Sequence, residues 1–121
     1  MKQPNQTKPG AVYICGPITG LPLNNAPEFS RIQEQLDAEN IPNINPHEIF
    51  EGIDVVEFKH ADYMKHCISY LAFCDKVITL KGWESSVGAT MEVRIARSMG
   101  KEVIIADVFI KQLKAKNAHV N

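Results

Sequence analysis

The chain lacks the usual marks of several large protein classes. Its three cysteines, Cys15, Cys67 and Cys74, are odd in number and each falls in or beside an apolar pattern, so no disulfide framework is expected and reduced thiols in a cytoplasm are. No apolar run approaches the roughly 18 residues of a membrane span, and residues 1–10 have no apolar core of a signal peptide. A soluble, cytoplasmic protein with no membrane partner is therefore predicted. Neither charge sign dominates. The 13 Lys and Arg against 14 Asp and Glu leave a net charge of -1, which gives no footprint for duplex nucleic acid. Both common phosphate signatures, the P-loop and the G-x-G-x-x-G dinucleotide turn, are missing. His60, His66, Cys67 and Cys74 match no zinc spacing, and no metal is expected.

What is present suffices for one core. A chain of 121 residues, 45% apolar and 22% charged, can fold without disulfides or metal. Residues 1–10, punctuated by Pro4, Pro9 and Gly10, read as a disordered lead-in, which leaves 11–121 as the domain. Ala11-Val12-Tyr13-Ile14-Cys15 has the unbroken apolarity of a strand covered on both faces. A helix is predicted over 27–40, with Asn24 and Asn25 before it as caps and Pro27 in its first turn. A short strand at 41–45 follows. The segment 47–59 shows no period and is long enough to cover a substrate. Asp62 is placed as the cap of a second helix with Tyr63, Met64, Cys67, Ile68, Leu71 and Ala72 on one stripe. Asp75 reads as a turn residue. A strand at 76–80, a helix at 87–99 carrying Met91, Ile95 and Met99 inward, a C-cap at Gly100, a strand at 102–106 and a short amphipathic piece with a basic tail complete the chain.

The alternation is β-α-β-α-β-α-β. Right-handed crossovers then give a parallel sheet with helices on both faces. The fold predicted is α/β, a single three-layer Rossmann-like (flavodoxin-like) domain of four to five strands in the order 2-1-3-4. In that order strands 1 and 3 are neighbours at the switch point, and the glycine-bearing loops that leave them converge on one crevice.

Those two loops carry the candidate chemistry. Gly16-Pro17-Ile18-Thr19-Gly20 is either a tight turn or one wall of a binding site, with Thr19 offering a hydroxyl. Gly82-Trp83-Glu84-Ser85-Ser86-Val87-Gly88 lies between a strand and a helix, where first-turn N–H donors hold anionic or sugar oxygens. Trp83, the only tryptophan, is either a core ring or a stacking platform for a base or sugar. Glu92 comes six residues after Ser86. It either faces solvent or points back to the ligand, where a lone carboxylate can attack an anomeric carbon.

With these residues placed, the chain resembles the nucleoside 2-deoxyribosyltransferase-like superfamily, closest to its small DUF4406 branch, often encoded by phages and prophages. The carriers are residues 12–22 (Val-Tyr-Ile-Cys-Gly-Pro-Ile-Thr-Gly-Leu-Pro), Asn45-Pro46, Cys74-Asp75 and residues 82–92. The resemblance implies that Glu92 is the nucleophile and that Tyr13 supports it by hydrogen bonding. It implies that Ser86 and Gly88 hold phosphate or sugar hydroxyls, and that Gly16 and Gly20 flank the ligand. It also implies a homodimer or larger assembly and no cofactor. Two departures stand out. Cys67 occupies the place of an aspartate that binds sugar and protonates the leaving base, and Thr19 stands in the loop where the nucleotide hydrolases carry arginine.

The function expected is cleavage or transfer of the N-glycosyl bond of a nucleoside or (deoxy)nucleotide through a glycosyl-enzyme on Glu92. The candidate substrate-binding set is Gly16, Pro17, Ile18, Thr19, Gly20, Trp83, Ser86 and Gly88. The rival is a module of the same fold that binds a nucleotide without turning it over.

Overall fold

The computed structural model describes residues 3–118. Four strands form one parallel sheet: β1 (Val12–Cys15), β2 (Asn43–Ile44), β3 (Lys76–Thr79) and β4 (Glu102–Ile105), in the spatial order β2-β1-β3-β4. Five helices connect and flank them: α1 (Ala26–Ala38), α2 (Pro46–Ile49), α3 (His60–Leu71), α4 (Val87–Ser98) and α5 (Ala106–Ala118). This is the predicted α/β architecture and strand order.

The sheet divides the interior into two cores because successive strand residues point to opposite faces. Val12, Ile14, Ile78 and Leu80 meet Phe29, Ile32 and Leu36 of α1 and Phe109 and Ile110 of α5. Tyr13, Cys15 and Val77 meet Cys67, Tyr70 and Leu71 of α3 and Ala89, Val93 and Ala96 of α4. Among the described residues, no helix is long and apolar enough to cross a membrane.

Four local expectations are corrected. On α4 the buried face is Ala89, Glu92, Val93 and Ala96, while Met91 and Met99 are 40% and 49% exposed. The small alanines let the helix lie close to the sheet, and the methionines fall outside that contact. Asn25 does not cap α1 with its side chain; its amide instead donates to the Pro17 carbonyl at 2.9 Å. Asp62 is the third residue of α3, which begins three residues earlier than a cap there would allow, and its carboxylate accepts from the Lys59 amide at 2.8 Å. The piece after β4 is a helix of 13 residues rather than a short segment. Of the tail, residues 119–121 lie outside the described residues.

Gly100 has φ +75 and ends α4 as expected. Pro4–Gln6 forms one 3-10 turn, and the Gly10 amide donates to Asp75 at 2.9 Å, so the amino-terminal arm is tied to the turn before β3.

Candidate active site

Parallel pairing in register sets β1 beside β3, so α4, which follows β3, packs over β1. That brings together residues 79 apart in sequence: the Tyr13 hydroxyl donates to Glu92 Oε2 at 2.5 Å. The Cys15 thiol donates to Glu92 Oε1 at 3.5 Å and lies equally far from the Ala89 carbonyl oxygen. Both carboxylate oxygens are thus held by neutral donors from one strand. Glu92 is only 6% exposed. Burial disfavours its charged form and pushes its pKa up to about 7, while the Tyr13 and Cys15 hydrogen bonds pull it back in part. Burial, then the Glu92 charge, holds the Tyr13 hydroxyl well above its usual range, and the Cys15 thiol likewise.

Glu92 and Tyr13 open into a cavity of about 260 Å³ between the two predicted loops. Gly16, Ile18 and Thr19 form one side, Ser86, Gly88 and Ala89 another, and His60, Tyr63, Met64 and Cys67 of α3 a third. Residues 10–105 match the family described as a domain of unknown function, DUF4406. The chain belongs to that family. No curated protein matches it.

The DUF4406 domain uses its glycines for space as well as for turns. A Cβ on Gly88 would lie 3.4 Å from Met64 Sδ and 3.6 Å from His60 Cε1, so a side chain there would begin to fill the gap between α3 and α4. A Cβ on Gly16 would meet the Leu80 side chain at 2.8 Å, which makes this glycine a packing requirement of the β1 and β3 ends. Pro17 and Gly82 approach across the two loops, so that a Cβ added to Gly82 would sit 3.6 Å from Pro17 Cγ. Leu23, Asn24 and Asn25 all have positive φ, at 53, 52 and 62. This run of left-handed residues bends the chain round the mouth, where Asn24 lines the cavity, and such backbone strain gathers at functional sites.

Three predicted ligand contacts fall outside the cavity lining. Pro17 and Gly20 are in the first loop but do not line it, and neither does Trp83, whose half-buried ring packs on the core of the α3 and α4 face. Ser86 does line it, but its hydroxyl accepts from the Ala89 amide at 3.2 Å as the cap of α4. A ligand contact by that hydroxyl would therefore compete with capping.

The residues that sequence reasoning missed include Asn24 and Pro46, Phe50 from 47–59, and His60, Tyr63 and Met64 from the start of α3. Phe50 and Tyr63 line the cavity and stack edge to face, centroids 5.1 Å apart. Phe58 packs on both and lies flat against His66, 5.6 Å apart at 9°. This aromatic cluster fastens the aperiodic segment to α3. The only sequence signal was the pair of phenylalanines in a stretch whose apolar residues follow no period.

A larger hollow of about 560 Å³ lies at the β2 edge, lined in part by Thr7, Lys8, Gln33, Asp37, Glu48 and Glu51. Its polar side chains are largely bonded to one another: Gln33 donates to Asn43 and Glu48, and Asn43 to Asp37. Size favours this hollow, whereas the perturbed, buried carboxylate favours the smaller one. Chemistry decides, and the candidate site is the cavity at Glu92. Among the described residues, no group of three His, Cys, Asp or Glu side chains is placed to hold a metal ion.

Proposed function

We propose that this DUF4406 domain cleaves or transfers the N-glycosyl bond of a nucleoside through a covalent glycosyl-enzyme on Glu92. The observation that carries the reading is a buried carboxylate, oriented by Tyr13 at 2.5 Å, in the wall of a partly aromatic cavity. An ionised Glu92 attacks C1′, and the same charge stabilises the oxocarbenium-like transition state. Water or a second base then resolves the ester. The Tyr13–Glu92 pairing agrees with the resemblance to the nucleoside 2-deoxyribosyltransferase-like superfamily, and we place the chain in it, on a branch of phage or prophage type. No Lys or Arg lines the cavity among the described residues, which favours a nucleoside over a nucleotide. The exposed apolar residues Val87 and Met91 of α4, Met99 just after it, and Ile105 and Val108 beyond favour a homodimer or larger assembly, which we place in the cytoplasm.

The test is to incubate the protein with ribo- and deoxyribonucleosides, their monophosphates and nucleosides with quaternised bases, with and without an acceptor base. Release of base and a glycosyl adduct on Glu92 by intact mass are expected, both lost in Glu92→Gln. Equal turnover by Glu92→Gln would remove the nucleophile, and no release from any substrate would remove the enzyme.

One observation favours a second reading, a module that binds a nucleoside or nucleotide without turnover. The Cys67 thiol in the cavity wall is pushed up to about 12 by burial and by Glu92, which makes it a poor acid for a leaving base. A ligand that raises the melting temperature and is recovered intact would establish this reading instead.

A further inference from the structure

We propose that the cavity selects N-glycosides whose base bears a fixed positive charge, a quaternised ring such as a pyridinium or an N7-alkylated purine, and releases that base without protonating it. The proposal rests on Glu92 being the nucleophile. Two independent features of the cavity lead to it.

The first is charge. Glu92 is the only carboxylate among the described lining residues, and no Lys or Arg stands with it. Its two oxygens meet a hydroxyl and a thiol, both neutral. A buried carboxylate without a counter-charge is costly, and a cationic base supplies that charge. The walls suit the same ligand, since the rings of Phe50 and Tyr63 border the cavity and aromatic faces attract cations.

The second is the lack of an acid at the buried end. A neutral base leaves as an anion unless it is protonated, so nucleoside cleavage ordinarily needs a positioned acid. Here the Tyr13 hydroxyl is committed to Glu92 and the Cys67 thiol holds its proton to about pH 12. The Thr19 and Ser86 hydroxyls are weaker acids still. His60 lines the cavity beside Gly88 but is exposed, so it stands on the solvent side and not at the buried end.

A quaternised base needs no acid. Glu92 bonds to C1′, the C1′–N bond breaks, and its electron pair neutralises the ring, which departs as an uncharged base. Water then attacks C1′, the ester bond breaks, its pair returns to the Glu92 carboxylate, and the water's proton passes to solvent.

The test compares 7-methyladenosine with adenosine, which differ by one methyl group and one charge; with no N1–H to lose, the methylated ring keeps its charge at pH 8. At that pH the wild-type protein is expected to cleave 7-methyladenosine with kcat/KM roughly 100-fold or more above that for adenosine. Cys67→Asp, which introduces an acid into the wall, is expected to narrow that gap by raising the adenosine rate. Calorimetry on Glu92→Gln, which does not depend on turnover, is expected to show roughly tenfold weaker binding of 7-methyladenosine than in the wild type and an unchanged affinity for adenosine. Adenosine cleavage within about tenfold of 7-methyladenosine would overturn the proposal. If that adenosine activity were also lost in His60→Ala, a leaving-group acid would be assigned to His60. Equal loss of affinity for both nucleosides would overturn the charge match. Cleavage of neither by the wild type would instead overturn the nucleophile reading on which the proposal stands.

Discussion

Strand β1 shows the same chain doing two different jobs on its two faces. Val12 and Ile14 point into the core under α1 and α5, while Tyr13 and Cys15 point under α3 and α4, and all four are at most 1% exposed. Burial is equal and chemistry is not. One face meets only apolar side chains; the other carries a hydroxyl and a thiol directed at a carboxylate. The first face gains stability from every contact, and the second carries the desolvation of Glu92 as a standing cost. The largest effect should separate them. Phe29→Ala, on the apolar face and fully buried, is expected to lower unfolding free energy by about 3–5 kcal/mol. Denaturant titration checks it, and a loss under about 1 kcal/mol would deny that this face is the stabilising one.

Glu92→Gln should act in the opposite direction. The folded-state pKa of Glu92, about 7, lies above the ordinary carboxyl value. The folded protein therefore holds a proton that the unfolded chain gives up. This contribution is fully present below the unfolded pKa and is lost as pH rises through about 7. Wild-type stability should fall between about pH 4.5 and 7 by something on the order of 3 kcal/mol and then level off. The amide of Glu92→Gln can still accept from Tyr13 and does not ionise, so the variant should be the more stable protein at pH 8. Thermal unfolding across that range checks it, and parallel curves for the two proteins would deny a buried, perturbed carboxylate. Activity should run the other way, rising as Glu92 ionises.

The sequence made the fold and the heart of the site legible for one reason: topology alone brings β1 next to β3. Alternating strand and helix patterns pointed to a doubly wound parallel sheet, for which the order 2-1-3-4 was expected, and that order places Tyr13 and Glu92 together across 79 residues. What stayed illegible depends on contacts without a period. The α4 face was misread because Met91 and Met99 are more hydrophobic than Ala89 and Ala96, yet the smaller residues pack closer to the sheet. The aromatic grouping of Phe50, Phe58, Tyr63 and His66 joins an irregular segment to a helix and leaves no spacing to find. Trp83 was open between core and ligand because a lone ring in a loop fits both, and the structure puts it on the core.

Tyr13→Phe sharpens the comparison at smaller scale. The ring still fills its place under α3 and α4, so packing is retained, but Glu92 Oε2 loses its donor. Stability should drop by only about 1 kcal/mol. Base release at neutral pH should fall roughly 10- to 100-fold, because the carboxylate is both less ionised and less well oriented. Equal damage to stability and activity would mean that Tyr13 belongs with Ile14 as a packing residue.

The smallest effect is the most specific. Glu92 is faced by Tyr13 and Cys15 from β1 and by Cys67 from α3, and of these Cys15 alone bonds Oε1, at the long distance of a thiol. If the thiol tunes the carboxylate, two variants of similar size should move it in opposite directions. Cys15→Ser substitutes a stronger donor, favours the ionised form, and should lower the Glu92 titration midpoint by roughly half a pH unit. Cys15→Ala removes the donor and should raise it by a similar amount. The carboxyl carbon resonance of Glu92, followed by NMR across pH 5–9, reads this directly and does not depend on turnover. A structural role would shift both variants the same way, through loosened packing, or neither. Opposite shifts would show that the site face of β1 is built from graded hydrogen-bond donors, whereas the apolar face tolerates any side chain that fills the same volume.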